Sequence, residues 1–402
     1  MSTDTDRSPD SNDSIWTSFD PMMFTTLEGY WPMVDEIRER CPVLRSDMYG
    51  GFAMLTRYDD VVRGANDWRS LSSAQGFGVV PTEGEGARFL PEGADPPYHS
   101  QLRSVLNPHF TAEAALTEED FVRSIAVELL DGFLHRGECE FVSEFSLPLG
   151  GRSFFEAVLG GDRDDFRTAN EWTVRTLTDP AHAASSYREM TSYVSDLLER
   201  CERSDRGGLA KTLLMCQIDG KRLSVEELTS MLVLFVIAGP HTTKLTLANI
   251  VRHLAADPAL TERLRDDLAL IPAAVEEFLR LEPVAPLFGR VATCPIEFDG
   301  EVIDEGQRVG LHFGAANRDP RKFEHPDQID ITRAHNTHLA FGSGVHRCIG
   351  RHLARLELRV GLEEILRRMP PFSIPAGARV PLENPLNFGP GAVPLVWNPP
   401  SN

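Results

Sequence analysis

The stretch FGSGVHRCIG, residues 341–350, constrains this chain more tightly than any other ten residues in it. One cysteine, Cys348, stands among Gly342, Gly344 and Gly350, with His346 two residues earlier and an amphipathic helical pattern directly after. Glycines let a backbone pass close to a flat ligand without side-chain clash. A helix that starts just past Cys348 aims its N–H groups and its positive dipole end at the sulfur, which favours a thiolate. A thiolate so placed is suited to be an axial iron ligand, one that donates electron density for O–O cleavage. A buried thiol ahead of a helix is the commoner meaning of a lone cysteine, but it leaves the glycine and histidine spacing unexplained.

The other cysteines, Cys41, Cys139, Cys201, Cys216 and Cys294, form no CxxC pair and no zinc-type cluster with histidine, and read as reduced thiols in a cytoplasmic protein. A formal net charge of −20 argues against a nucleic-acid partner. The longest apolar run, MLVLFVIA at 231–238, stops at Gly239 and Pro240, well short of the roughly 18–20 residues of a membrane span. Residues 1–14 are polar and acidic without the apolar core of a secretion signal, and are expected to be a disordered tail. The chain reads as soluble and cytoplasmic, with no membrane partner.

The pattern along the chain predicts a mainly α protein with small β-sheets, an α+β arrangement in one large unit. Residues 75–97, rich in Gly, Pro and Glu, read as a long loop. Residues 98–270 are helical in periodicity, with expected breaks near 147–152, 160–164 and 203–208. At Ser224 the sequence SVEE offers a capping box with Glu227, opening a helix that should run to about residue 255. A helix over 272–282 follows, then short strands from 284 to 346, where EFDGEVIDEGQRVGL suggests a hairpin turning at Asp-Glu-Gly.

FGxGxHxCxG resembles the haem-binding loop of the cytochrome P450 family, and HLAFGSGVHRCIGRHLARLEL resembles its bacterial, ferredoxin-dependent members over more than the core motif. The resemblance implies a triangular, helix-rich fold in which residues 15–402 form a single haem-thiolate monooxygenase domain. It implies haem b with Cys348 as the metal ligand and Phe341, Gly342 and Gly350 against the macrocycle. His99 and Arg103, at i and i+4 in YHSQLR, can face one anionic group. By resemblance they bind the haem propionates with Arg290 and His346. Glu277 and Arg280 in EEFLR, three apart on one helix face, match the family's ion pair, and Arg333 in DITR matches its third member.

On the long helix, Phe235, Ala238, Gly239 and Thr242 fall on one stripe. Small residues there leave room for O2 and substrate, and a hydroxyl can hold a proton-relaying water. A Gly-Pro pair within that helix suggests a functional kink. The family pattern AGx(D/E)T(T/S) is broken in AGPHTT, where His241 stands in place of the acid. Either His241 substitutes as proton carrier, or water does, or the reaction is unusual. Arg347, Arg351 and Arg355 make a basic face, joined by Arg359, that reads either as a solvated helix surface or as a docking site for an acidic ferredoxin supplied by an NAD(P)H-dependent reductase.

By position, Phe77, Val79, Val80, Phe89, Phe235, Leu287, Phe288 and Phe388 are expected to line a pocket for a small apolar substrate, and Arg88 could anchor a carboxylate. The favoured expectation is a monooxygenase that hydroxylates or epoxidises such a molecule with O2. A peroxide-driven or rearranging haem-thiolate enzyme, or a non-enzymatic haem or ligand carrier, stays open because of His241.

Overall fold

The computed structural model describes residues 17–80, 89–203 and 207–399. The expected disordered tail over 1–14 and the possible anchor Arg88 lie outside these residues. The principal helices are α1 (Tyr30–Arg40), α2 (Tyr58–Asn66), α3 (Tyr98–Leu106), α4 (Glu119–Phe133), α5 (Leu147–Arg152), α6 (Asp165–Thr178), α7 (Pro180–Arg203), α8 (Val225–Ala256), α9 (Ile271–Leu281) and α10 (Arg351–Arg368).

The long helix α8 starts where the sequence signals it. Ser224 Oγ accepts from the Glu227 N–H at 3.2 Å, and Glu227 Oε2 accepts from the Ser224 N–H at 2.7 Å, so two orphan donors are satisfied reciprocally. Tyr98 O–H donates to the other oxygen of Glu227 at 2.5 Å and so fixes α3 to the same end. The helix runs unbroken to Ala256 with Pro240 inside it. By length and composition it could cross a membrane, but 72% of its most apolar window is buried against the rest of the protein. It packs on α5, α6, α7 and α10, which makes it the axis of the largest apolar core.

One expected break is not a break. LPLGGR, residues 147–152, is helical and continues through residue 159 with wider helical turns at both ends. Proline sits in its first turn, where no N–H is needed. The two glycines serve packing rather than a turn. A Cβ on Gly150 would lie 3.2 Å from Thr243, and one on Gly151 would overlap the Phe166 ring. The break at 160–164 is present, with Gly160 in the left-handed region at φ +86°.

A five-stranded sheet flanks this helical body, in the order β1 (Val43–Ser46), β2 (Phe52–Leu55), β5 (Arg308–His312), β4 (Leu287–Ala292) and β3 (Leu71–Ser72). Only the β2–β5 pair is parallel. Gly289 of β4 lies opposite Gly310 of β5, and across this pair the segment at Phe77–Val79 crosses the sheet. A Cβ on Gly289 would be 2.5 Å from the Gly78 carbonyl carbon, and the Gly289 N–H donates to Phe77 O at 2.5 Å. Between β4 and β5 the hairpin turns at Asp299-Gly300, not at Asp-Glu-Gly. Both turn residues have positive φ, 49° and 83°, which is the Asp-Gly geometry that matches strand twist. Asp304-Glu305-Gly306 instead leads into β5.

Candidate active site

The Cys348 loop is held from both sides. The Cys348 N–H donates to Phe341 O at 2.8 Å and the Gly342 N–H to Leu339 O at 2.8 Å. Gly342 and Gly344 have φ +68° and +72°, and a Cβ on Gly344 would overlap the Ala65 carbonyl at the end of α2. At Gly350 nothing lies within 4 Å of where a Cβ would stand, so that face of the loop is open. Helix α10 begins at the next residue.

Cys348, Phe341, Gly342 and Gly350 border an internal cavity that also reaches Phe235, Ala238, Gly239 and Thr242 of α8. Space unfilled by protein atoms there amounts to about 1530 Å³, part of it open to solvent. Loop and stripe, far apart in sequence, thus share one chamber. The stripe is less open at Gly239 than its composition suggests. A Cβ there would be 2.6 Å from Phe154, so the missing side chain lets that ring pack on the helix. Burial pushes the Cys348 thiol up, while the Gly350 N–H, Arg103 and Arg351 pull it the other way.

Arg103, Arg290 and His346 line the same chamber, and the His99 ring stands 4.4 Å from that of His346. Both histidines are buried and neither ring nitrogen of either has a hydrogen-bond partner. Burial, with His346 and Arg103 adding to it, holds His99 down to about 4, so at neutral pH it is a hydrogen-bonding group rather than a cation. The permanent positive charge comes from Arg103 and Arg290. Orphaned imidazoles, two guanidiniums, a soft sulfur donor and an open glycine face fit a planar iron cofactor bearing two carboxylates. Glu92 shares the cluster, 3.7 Å from Arg290 and 3.6 Å from His346.

Behind the loop, Glu277 and Arg280 are both fully buried. Arg280 donates to the two Glu277 oxygens at 2.8 and 2.9 Å, and Arg333 reaches Glu277 Oε2 at 3.0 Å. Asn336 and the Asp330 N–H complete the carboxylate's partners, while Arg280 also holds the carbonyls of Asn317, Pro326 and Gln328. The network fastens α9 to the segment that leads into the Cys348 loop.

The basic face divides. Arg347 is exposed, and Arg351 is partly exposed with one donor on Cys348 O at 3.2 Å. Arg355 is not a free cation: it makes a bidentate pair with Glu276 at 2.6 and 2.7 Å. Against the cost of burial, Arg355 and His338 hold Glu276 down to about 2. Arg359 is likewise bound, to Glu119 and Glu363.

The pocket expectation also divides. Phe77, Phe235 and Phe288 line the chamber. Val79 and Phe388 are instead buried in a separate core with Tyr30 and Trp31, and Leu287 and Val80 pack on that core's edge. Alternation along β4 sends Leu287 and Phe288 to opposite faces. Phe89 stands behind Phe77, 5.8 Å away edge-on, and touches Tyr187.

His241, also on α8, is buried and does not itself border the chamber. Its Nε2 is 2.5 Å from Glu383 Oε2, and Lys244 Nζ donates to Glu383 Oε1 at 2.5 Å and to Asn170 Oδ1 at 2.9 Å. A second carboxyl, Glu357 of α10, does border the chamber and is fully buried. Thr243 Oγ1 donates to it at 2.7 Å and Ser153 Oγ to its other oxygen. Burial pushes Glu357 up to about 7. Sequence reasoning named neither Glu357 nor Glu383. A charge on the apolar face of α10, in line with Leu353 and Val360, was a readable signal for the first. The second lies in a Pro-rich segment without pattern.

A family model described as Cytochrome P450 matches residues 182–389. The chain is 35% identical over 343 residues to cytochrome P450 107B1 of Saccharopolyspora erythraea, covering 80% of this chain and 83% of that one. It is 34% identical over 387 residues to the mycinamicin IV hydroxylase/epoxidase of Micromonospora griseorubida, covering 92% and 96%. The solved structure of CYP109E1 from Bacillus megaterium in complex with testosterone superposes with a TM-score of 0.84 at 26% identity, covering 91% of this chain and 97% of that one. With likeness extending over most of the length in sequence and in fold, the protein belongs to the cytochrome P450 family and is a monooxygenase of its bacterial type.

Proposed function

We propose that this cytochrome P450 binds haem b through Cys348 and inserts one oxygen atom from O2 into a small apolar substrate, by hydroxylation or epoxidation. The observation that carries the reading is the shared chamber, bordered at once by the Cys348 loop and by the Phe235–Thr242 stripe of α8. Bound there, the haem supplies the oxygen-activating chemistry. The chain's own residues do the rest. Arg103 and Arg290 balance the propionate charges, while His99 and His346, whose ring nitrogens make no hydrogen bond within the protein, donate hydrogen bonds to them. Phe77, Phe235 and Phe288 hold the substrate by apolar contact and exclude water. Thr242 Oγ1, now bonded to Ala238 O at 3.1 Å, can turn to hold a water at the chamber wall, and His241 renews its proton.

Electrons come from NAD(P)H through a reductase and a ferredoxin, in the cytoplasm. The exposed charges of Arg347 and Arg351, standing out against a net charge of −20, support an acidic partner. The hydroxylase/epoxidase named among the relatives and the testosterone bound by the structural neighbour support the reaction class and an apolar substrate.

The test is a titration of the purified ferric protein with terpenoids, steroids, macrolides and fatty acids, following the haem Soret band, then turnover of each binder with NADH, reductase and ferredoxin. Substrate-dependent oxygenated product is the expected result. Binding without any partner-driven product, alongside efficient product from hydrogen peroxide, would replace this reading with the peroxide-driven one.

A further inference from the structure

His241, Lys244 and Glu383 form a buried polar cluster beside a hairpin that other contacts also seat. Residues 381–391 are a tight hairpin closed on itself: the Glu383 N–H donates to Gly389 O at 2.9 Å and the Gly391 N–H to Pro381 O at 2.9 Å. It is seated on α8 without the cluster. Asn249 Nδ2 donates to Phe388 O at 3.2 Å, and Gly389 packs so closely that a Cβ there would be 2.9 Å from Leu245 Cβ. Placing charges beside this seat costs desolvation that an apolar pair would avoid.

The geometry within the cluster is directional. A carboxylate only accepts, so at 2.5 Å the His241 Nε2 carries the proton and donates it to Glu383 Oε2. The Asn387 Nδ2 then faces the unprotonated Nδ1 at 3.4 Å, a contact weak enough for water to replace. Lys244 Nζ occupies the other Glu383 oxygen. Side-chain exposure is 1% for His241 and Lys244 but 11% for Glu383, which makes the carboxylate the member nearest solvent. The next residue after His241, Thr242, borders the chamber.

We propose that Glu383, from the C-terminal hairpin, is the positioning residue of the proton relay: it anchors the His241 Nε2–H and so leaves Nδ1 as the atom that takes up and releases the proton. The inference rests on the oxygenation reading above. In each cycle Nδ1 accepts one proton from water on the hairpin side, the imidazolium is stabilised by Glu383, and Nδ1 gives that proton to a water held at Thr242, restoring the neutral ring. Glu383 itself does not change protonation. The charged groups facing the ring are Glu383 and Lys244, with the Glu140 charge acting on Lys244. Burial and Lys244 hold His241 below its usual range, against Glu383, so the resting ring is neutral and its imidazolium is a ready donor. Against the cost of its own burial, His241 and Lys244 keep Glu383 ionised.

The test reads the ring itself as well as turnover. Nitrogen NMR of the haem-loaded, carbon-monoxide-bound protein should show His241 neutral and protonated at Nε2 at neutral pH. In Glu383→Gln the single amide oxygen goes to Lys244, the amide N–H faces the ring, and the tautomer should switch to Nδ1–H. With the substrate found by the Soret titration, the same variant should keep the titration midpoint, lose roughly tenfold or more in kcat, spend more NADH per product and show a larger solvent deuterium effect. Glu383→Asp, which keeps the carboxylate, should retain the Nε2–H tautomer and recover part of the rate. It carries the test if Glu383→Gln does not fold. An imidazolium or an Nδ1–H ring in the wild type overturns the inference. So does a switched tautomer with unchanged kcat, coupling and isotope effect, which would leave a structural contact only. Wild type without partner-driven turnover, whatever its tautomer, removes the oxygenation reading and the relay with it.

Discussion

Glu357 gives the fold a pH dependence of unusual sign, and Glu357→Gln isolates it. In the unfolded chain this carboxyl ionises near the ordinary 4.5, whereas in the fold burial holds its proton up to about 7. Below the lower value both states are protonated and the group contributes no difference. Between the two values the native state binds the extra proton, so stability falls as pH rises, and the full cost is present above about 7. At about 1.4 kcal/mol per pH unit that cost is about 3 kcal/mol. Glutamine cannot ionise, and its amide can still meet the Thr243 and Ser153 hydroxyls, which rotate to suit it. Any packing offset in the variant is constant with pH, so the slope decides. Urea melts of haem-loaded wild type and Glu357→Gln from about pH 5 to about pH 8 should give a difference in unfolding free energy that climbs by about 2.5 kcal/mol in favour of the variant. A flat or falling difference curve refutes the reasoning, because it would mean that the carboxyl is already ionised at low pH or is never desolvated.

Glu277→Gln removes the charge that neutralises both Arg280 and Arg333 inside the fold, and should cost about 3–5 kcal/mol in the same urea assay, together with haem loss. Arg351→Glu should weaken ferredoxin binding in a salt-dependent way with little change in Tm, measured by titration at two ionic strengths. Arg355→Gln should instead lower stability and leave partner affinity nearly unchanged. Stability that Glu276 contributes is present above about 4.5 and lost as pH falls toward about 2, and that acid limb of the wild-type stability curve should shrink in Arg355→Gln. Phe288→Ala should weaken Soret-detected substrate binding, whereas Phe388→Ala should cost about 3–5 kcal/mol of stability and leave substrate affinity nearly unchanged, since only Phe288 borders the chamber.

Local signals in the sequence are decisive where the physics is local. The Ser224–Glu227 box marks the start of α8 because both of its bonds close within four residues. LPLGGR misled because its glycines answer to Thr243 and Phe166, which sequence distance hides. The hairpin before β5 was placed at the wrong turn because two candidates, Asp-Gly and Asp-Glu-Gly, stand five residues apart. Strand twist chose the pair that supplies two positive φ values. Position along the chain points Val79 and Phe388 toward the pocket, and the fold turns both into another core.

The site shows the same division at higher stakes. Cys348 and its glycines announce themselves because positive φ at Gly342 and Gly344, close approach to Ala65 at Gly344 and an open face at Gly350 restrict several adjacent residues together. The acid missing from AGPHTT has no such signature: the carboxylate bonded to His241 is Glu383, 142 residues onward. The proposed relay needs a carboxylate within hydrogen-bond reach of one turn of α8, and any element packed there can present it. Helix α8 meets that requirement from the opposite side, since it carries His241 and Lys244 while the hairpin carries the negative charge. The polarity across the interface is therefore set by both partners at once. Returning an acid to the helix by His241→Asp would put two carboxylates against one lysine. Repulsion should raise the pKa of one of them, so the single change should impair turnover, and Glu383→Gln added to it should restore part of the loss. Additive defects in the double variant, measured as kcat and NADH coupling, would show that the two positions do not act on one proton.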